Sequence, residues 1–385
     1  MTGVAIAGLG LTEVGKVYGR RPADFARDAI MLSLRDAGLG PADVDGLLVS
    51  SGKSGGVGLT IAEDLGLRDL ALLATVNSFG ASAGAMVGLA ARAIQAGDAT
   101  TIVCVFADAP LREGVRGSEI YQRSAARGYS GHLVASGITN TTAYYALAAQ
   151  RHMRAYGTTS QQLGAVAVAQ RDWASMNPIA QMRDRMTLAD HQASRFVVEP
   201  LHLLDCCLVS NGGAAVVVTT SERAASLRQP AVHLWGWAQG HPGYSWERGS
   251  SFGLTTGAVQ SGQRAMAMAG IKAADVTVRE LYDCYTYTTL VTLEDYGFCE
   301  KGEGGQLAAS GELGPGGSLP TNTGGGQLSS FYLWGFTPLV EGVVQARRQG
   351  GDRQVEDNAV VLVSGNGGLL QHHATLVMSP LEAGN

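Results

Sequence analysis

The sequence describes an α/β protein built from two halves with the same order of elements. Three observations carry this reading. Apolar strand-like runs alternate with helix-like segments, the order that opens at Val4 begins again at Ala231, and 385 residues exceed one simple core. Strands alternating with helices imply parallel sheets covered on both faces. The repetition implies a fused duplication with its joint near residue 225, giving an N-terminal half of 1–225 and a C-terminal half of 226–385.

The first segment, VAIAGLGLTEVGK, reads as a buried strand entering a turn. Its Gly10-to-Lys16 spacing approaches a phosphate loop, but Val17 stands where Ser or Thr would bind magnesium, so it is a strand-to-loop junction. A helix follows from about Pro22, with Ile30, Leu34 and Ala37 on one face and Gly38 to stop it. DGLLVSSG (45–52) and residues 71–76 are short strands. They lead into NSFGASAGAMVGLAARAIQAG, a helix so small and apolar all round that it belongs between layers. TIVCVFAD (101–108) returns to strand. From about 110 to 200 the pattern changes: Arg, Gln, Tyr and Met accumulate and alternation fades. Residues 142–156 and 161–176 read there as amphipathic helices, in an insertion that covers one face.

CCLVSNGGAAVVVTT (206–220) restores a strand, with Asp205, Cys206 and Cys207 as structural residues at its start, and SERAASLRQP links the halves. In the second half VHLWGWAQG repeats the opening strand, and 258–271 is a helix with Gly270 near its end. RELYDCYTY, AVVLVSGNGG and HATLVMSP supply further strands. HPGYSW (241–246) is an aromatic loop, either a pocket wall or an ordinary turn. His372 and His373 are adjacent, so they face opposite sides of a strand and make a poor metal pair.

Composition narrows the function. A hydrophobic content of 45% with 16% charged residues describes a globular protein with a large interior. A net charge of −5 without a dense Lys/Arg run argues against nucleic-acid and anionic-membrane partners. No secretory signal is expected from MTGVAIAGLG, and no apolar run approaches the roughly 20 residues of a membrane span. Five cysteines, an odd number without zinc-like spacing, fit reduced thiols in a cytoplasm.

Two stretches concentrate the chemistry. LYDCYTYTTLVTLEDYGFCEKGEGG (281–305) opens like a buried strand and crowds Tyr282, Tyr285 and Tyr287 together before an apolar-periodic segment. Phenols packed so densely are costly to bury without partners. TNTGGGQLSSFYLWG (321–335) follows.

With VNSFGASAG, these segments resemble the thiolase superfamily over essentially the whole chain. The sterol-carrier or lipid-transfer-protein branch is the nearest, and YDCY…LEDYGFCEKGEGG is the most specific match. The resemblance implies a five-layer αβαβα fold of two pseudo-repeated halves with mixed sheets. It also implies a homodimer whose catalytic loops meet in a pocket for an acyl-CoA thioester.

The departures from that pattern direct the reading. Where thiolases place a nucleophilic Cys, this chain has Gly80; the family's second cysteine, read against VLVSGNGG, falls on Val363. The Gly-His-Pro histidine aligns with Tyr332, and the His of the branch's His-Asp-Cys-Phe motif aligns with Tyr282. Claisen chemistry through an acyl-enzyme needs an activated nucleophile and a matched base, and both are missing. Two tyrosines for two histidines is a pattern similar to the thiolase-like steroid side-chain aldolases. That likeness implies retro-aldol cleavage of a β-hydroxyacyl-CoA to a ketone and a shortened acyl-CoA such as propionyl-CoA. It further implies a small OB-fold and zinc-ribbon partner that holds any zinc, and no cofactor beyond the coenzyme A of the substrate.

On this reading Tyr282 and Tyr332 divide the proton transfers, in an order the sequence leaves open. Gly80 opens the space of the lost sulfur and presents an N–H at a helix start, Gly367 offers another backbone donor, and Asp283 orients a tyrosine or a water. The bland readings stand beside these: one of Tyr282 and Tyr285 belongs to the core, and Tyr332 beside Phe331 and Trp334 is compatible with packing. Cys284 is a conceivable substitute nucleophile, which would make the protein an acyltransferase. A non-catalytic lipid-binding subunit is the third possibility.

Overall fold

A computed structural model describes residues 2–115, 120, 129–244 and 248–382. Residues 116–119 and 121–128 of the insertion, and 245 and 246 of the HPGYSW loop, lie outside the described residues.

Eleven strands are named in chain order: β1 Val4–Leu11, β2 Gly46–Ser51, β3 Leu72–Thr75, β4 Thr101–Asp108, β5 Phe196–Val198, β6 Leu201–His202, β7 Gly212–Thr220, β8 Val232–Gly240, β9 Val278–Glu280, β10 Val361–Gly367 and β11 His372–Ser379. Nine of them form one sheet in the order β3-β2-β4-β7-β1-β8-β11-β10-β9, while β5 and β6 pair separately. The order is palindromic about its middle. Reading outward from the β1–β8 junction, where Ala5 and Ile6 face His233 and Val232, β1-β7-β4-β2 is answered by β8-β11-β10-β9. β3 has only a remnant as counterpart: Thr321 makes one parallel bridge to Arg279 of β9.

The expectation of parallel sheets needs correcting. β2 runs parallel to β3 and β4, and β9 to β10, but the pairs β4–β7, β1–β7, β1–β8, β8–β11 and β10–β11 are antiparallel. The turn between β10 and β11 is too short for a crossover, so the chain must reverse.

Eight helices matter for the site: α1 Pro22–Ala37, α2 Ser82–Ala96, α3 Thr141–Tyr156, α4 Ser160–Ser175, α5 Ala258–Ala269, α6 Thr286–Tyr296, α7 Gly304–Ala309 and α8 Phe336–Ala346. α1 stops at Gly38, which takes the left-handed conformation (φ 77°) and donates its N–H to Arg35 and Leu34 carbonyls. It covers β1, β4 and β7 from outside, as α5 covers β8 and β11. α2 and α8 touch strands of both halves and therefore lie between them, completing five layers. This explains why α2 is apolar nearly all round: Met86, Val87, Ala90 and Ile94 join Leu339 and Val343 of α8 in the largest core cluster. Outer clusters form under α1 (Phe25, Ile30, Leu34 on Leu47, Val105, Val217) and under α5 (Ala265, Met266 on Leu362, Val377).

Two strands are shorter than their apolar patterns. β9 ends at Glu280 because Asn322 Oδ1 accepts the Leu281 N–H at 2.6 Å, drawing the chain out of the ladder before Tyr282. β7 begins only at Gly212: Cys207 N–H goes to the Cys284 carbonyl and Leu208 N–H to the Gln327 carbonyl, so 206–211 is a loop tied to its neighbours.

The LEDYGFCEKGEGG motif is a clamp between the insertion and the second half. Buried Glu294 of α6 lies 3.0 Å from His152 Nε2 of α3 and 3.3 Å from Lys301 Nζ, and accepts the Gly304 N–H at the start of α7. Asp205 does the same nearby, accepting from Thr286 Oγ1 and the His202 N–H and meeting His191 Nε2 at 2.9 Å.

Burial alone would raise the Glu294 carboxyl, but the bond and charge of His152, with Lys301 and the Gly302 N–H, outweigh it and leave its pKa lowered from 4.5. A lowered folded value means that stabilisation is present above the unfolded value and lost as pH falls through the folded one. Glu294→Gln is expected to cost about 3 kcal/mol in chemical denaturation. The wild type should lose melting temperature steeply below the ordinary carboxylate range, and the variant less so.

Candidate active site

Each central helix is preceded by a tight turn carrying an aromatic residue in the left-handed region. Phe79 (φ 52°) stands ahead of α2 and Trp334 (φ 50°) ahead of α8, and their rings lie 5.9 Å apart. Gly80 and Tyr332 therefore sit at the starts of the two helices between the layers. Tyr282, just past β9, reaches the same place. Its hydroxyl lies 3.0 Å from that of Tyr332, with the rings edge to face at 6.5 Å. Tyr282 is 4% exposed and Tyr332 is half-buried.

Asp283 holds this geometry without facing the phenols. Its fully buried carboxylate accepts the Gln327 N–H at 2.9 Å and the Leu328 N–H at 3.2 Å. It thus fastens the residue after Tyr282 to the wide helical turn, Gly326–Ser330, that leads to Tyr332. Gly326 permits this: it has φ 61°, and a β-carbon there would stand 2.1 Å from Asp283 Oδ2. Burial pushes the carboxyl up to about 7 against the opposing effect of these N–H bonds. Asp283 is therefore a strut between the two loops that carry the tyrosines, where the sequence suggested a group orienting a tyrosine or a water. The N–H groups of Gln327 and Leu328 claim both of its oxygens.

Gly80 also differs from expectation. The space of the missing sulfur is not open: a β-carbon on Gly80 would stand 2.3 and 2.4 Å from Tyr282 ring carbons and 2.1 Å from the Asn366 carbonyl. The phenol ring occupies that volume, at the partly positive start of α2. Val363, read against the second cysteine, packs instead into the core beside Gly342. Gly365, two residues further along β10, lies against the Gly80 turn, where a β-carbon would meet the Gly80 carbonyl at 2.6 Å. Gly367 adjoins Ser78 and Gly80.

Around Tyr282 the structure adds two residues that the sequence reading missed, Tyr145 of α3 and Asn366 of β10. Asn366 Nδ2 donates to Tyr145 Oη at 3.3 Å, and the Tyr145 ring packs tilted against that of Tyr285 with centroids 4.7 Å apart. Adjacent tyrosines at 144–145 and an Asn between glycines at a strand end were the available signals. Tyr285 is a core residue bonded to Thr142 Oγ1. Cys284 is buried, and that burial pushes its thiol up to about 12. Cys206 and Cys207 are raised by burial as well, so none of the three is poised as a thiolate. His373 is buried against Tyr296 while His372 faces His241 near the surface, on opposite sides of β11. A concavity of about 700 Å³ lined by Trp173, Val276, Arg279, Phe298 and Val355 lies beyond β9 and contains none of the site residues. Among the described residues no group of three or more His, Cys, Asp or Glu could hold a metal ion, and no helix is long and apolar enough to cross a membrane.

Comparison with known proteins identifies the family. The thiolase N-terminal domain family matches residues 4–222, and the thiolase C-terminal domain-like family matches 238–380. A steroid side-chain-cleaving aldolase of Thermomonospora curvata is 37% identical over 375 residues, covering 94% of this chain and 95% of that one. The 17-hydroxy-3-oxo-4-pregnene-20-carboxyl-CoA lyase of Mycobacterium tuberculosis is 36% identical, covering 89% and 91%. Among solved structures, the Ltp2-ChsH2(DUF35) aldolase superimposes with a TM-score of 0.86 at 35% identity over 98% of both chains. A monomeric SCP2-thiolase like protein of Mycobacterium smegmatis shares the fold at 19% identity, with a TM-score of 0.75, covering 98% of this chain and 77% of that one.

The contact between Gly80 and Tyr282 is testable. Gly80→Ala is expected to destabilise by about 2 kcal/mol through overpacking. Adding Tyr282→Ala should recover part of that loss, since the ring is one of the two obstacles. Denaturation midpoints of the two single variants and the double variant give the coupling. Strictly additive losses would show that ring and glycine are independent.

Proposed function

The chain belongs to the thiolase family, and we propose that within it this protein is an aldolase that cleaves a β-hydroxyacyl-CoA thioester by retro-aldol chemistry. The observation that carries the proposal is the hydroxyl pair of Tyr282 and Tyr332, 3.0 Å apart over a glycine where a nucleophilic sulfur would stand.

The chemistry is balanced within the pair. The β-hydroxyl loses its proton, its O–H electrons form the ketone, and the α–β carbon bond breaks with its electrons passing to the thioester as an enolate. The α-carbon then takes a proton. One proton leaves oxygen and one arrives at carbon, so two hydrogen-bonded phenols can relay it and return to their starting state. A phenol titrates near pH 10 in water. The proton acceptor of the pair is aided by its neighbour's O–H, and the partly positive start of α2 lies against the Tyr282 ring. Which phenol begins as acceptor does not alter this balance.

The substrate is a steroid side-chain CoA ester. The named substrate of the mycobacterial relative carries a 17-hydroxyl β to its thioester carbonyl. Breaking the 17–20 bond of such a molecule yields a 17-ketone and propionyl-CoA. The protein works in the cytoplasm as a homodimer, without a cofactor of its own. The outer edge of β3, the last strand of the sheet, supports a second copy: Leu73 there is 41% exposed and Phe79, beside Gly80, 47%. A small OB-fold and zinc-ribbon protein completes the complex, a reading supported by the DUF35 component named in the solved aldolase. An acyltransferase using Cys284 is disfavoured by the burial and raised pKa of that thiol.

Incubating the protein, with and without that partner, with a panel of β-hydroxyacyl-CoAs tests the proposal. Release of a ketone with a shortened acyl-CoA is expected, with no acyl adduct in the intact mass. Tyr282→Phe and Tyr332→Phe should each lower kcat by about 10²-fold or more. Near wild-type cleavage by either variant would remove that residue from the mechanism, and an acyl adduct would favour the acyltransferase.

A further inference from the structure

We infer that the Asn366 side chain is a donor to the substrate, holding the thioester oxygen while it carries the charge of the enolate; this rests on the aldolase reading. Asn366 closes β10 between Gly365 and Gly367, both of which lie against the turn at Gly80. Its carbonyl and the Tyr282 ring together fill the space over the Gly80 α-carbon. It is 2% exposed, yet its side chain has only one partner among the described residues, Tyr145 Oη at 3.3 Å, and Oδ1 has none.

A primary amide offers two N–H groups and one acceptor oxygen. As placed, one N–H meets Tyr145 and the other is left over. With the amide reversed, Tyr145 would donate to Oδ1 and both N–H groups would be left over. A spare donor therefore remains in either setting. Buried polar groups in native proteins are nearly always satisfied, and an unused one is costly. Other buried amides, Asn322 and Gln170 among them, also have an unmet atom; what sets Asn366 apart is its place against the Gly80 turn, where its carbonyl and the Tyr282 ring meet.

The reaction supplies the missing acceptor. The thioester oxygen is the atom that gains negative charge as the carbon–carbon bond breaks, while the β-oxygen ends as a neutral ketone. A fixed N–H donor in a water-poor site is worth most at the former. Tyr145 is a positioning residue. Its hydroxyl meets the amide and its ring rests on Tyr285, so the insertion helix α3 sets the angle of the amide.

The enolate can be probed apart from cleavage, through exchange of the α-hydrogens of propionyl-CoA with deuterium oxide, followed by mass spectrometry. Propionyl-CoA has no β-hydroxyl, so exchange reports only the thioester end. The wild-type complex should exchange. Asn366→Ala should lower exchange and cleavage together by about 10²-fold, and Tyr145→Phe should lower both by a smaller factor. Exchange at the wild-type rate in Asn366→Ala would overturn the inference, whether or not cleavage falls. If that variant does not fold, Asn366→Asp is used, which keeps the shape but removes the donor; wild-type exchange in it is equally fatal. A wild type that neither cleaves nor exchanges would remove the aldolase reading and this inference with it.

Discussion

One steric fact underlies the arrangement of this protein: the ring of Tyr282 lies where a side chain at position 80 would begin. A phenol at 282 and a sulfur at 80 are alternatives for one volume, because the Asn366 carbonyl blocks the remaining way out. Interiors are packed too closely to accommodate both. In this chain the choice between a ring at 282 and a side chain at 80 is thus a packing decision before it is an electronic one.

Everything around the two phenols serves to hold them. Asp283 ties the Tyr282 segment to the turn before Tyr332, Asn322 ends β9 at the residue that lets Tyr282 leave the ladder, and α2 and α8 carry Gly80 and Tyr332 between the half-sheets. These contacts are buried and mostly run from side chain to backbone, so they fix loop shape rather than add surface charge. The insertion is fastened to the same region by Glu294 and Asp205, both buried carboxylates with several donors each. The result is a site built on loops but with the rigidity of the layers beneath it.

Much of this was legible in the amino-acid order. Apolar runs separated by glycine reveal the strands, and the small-residue face of 82–96 announces a helix between layers. The motif likeness brings Gly80, Tyr282 and Tyr332 to one neighbourhood, and the fold does bring the two hydroxyls together. What could not be read depends on direction. Asp283 adjoins Tyr282 in sequence, but its side chain turns toward a loop 44 residues further along the chain, from whose N–H groups it accepts. Cys206–Asn211 is apolar enough for a strand, yet its N–H groups are taken by Cys284 and Gln327. Tyr145 was hidden because an amphipathic helix does not announce what its inner face will touch.

The single bridge at Thr321 has a broader meaning. Where the first half places the regular strand β3, the second half keeps one contact with Arg279 and leaves its following segment as loop. The two borders of the sheet are therefore unlike: one is a regular strand, and the other gives way to the wide turn that leads to Tyr332. A residue freed from the ladder can be aimed inward, so the unpaired border is the one from which a side chain reaches the space between the layers.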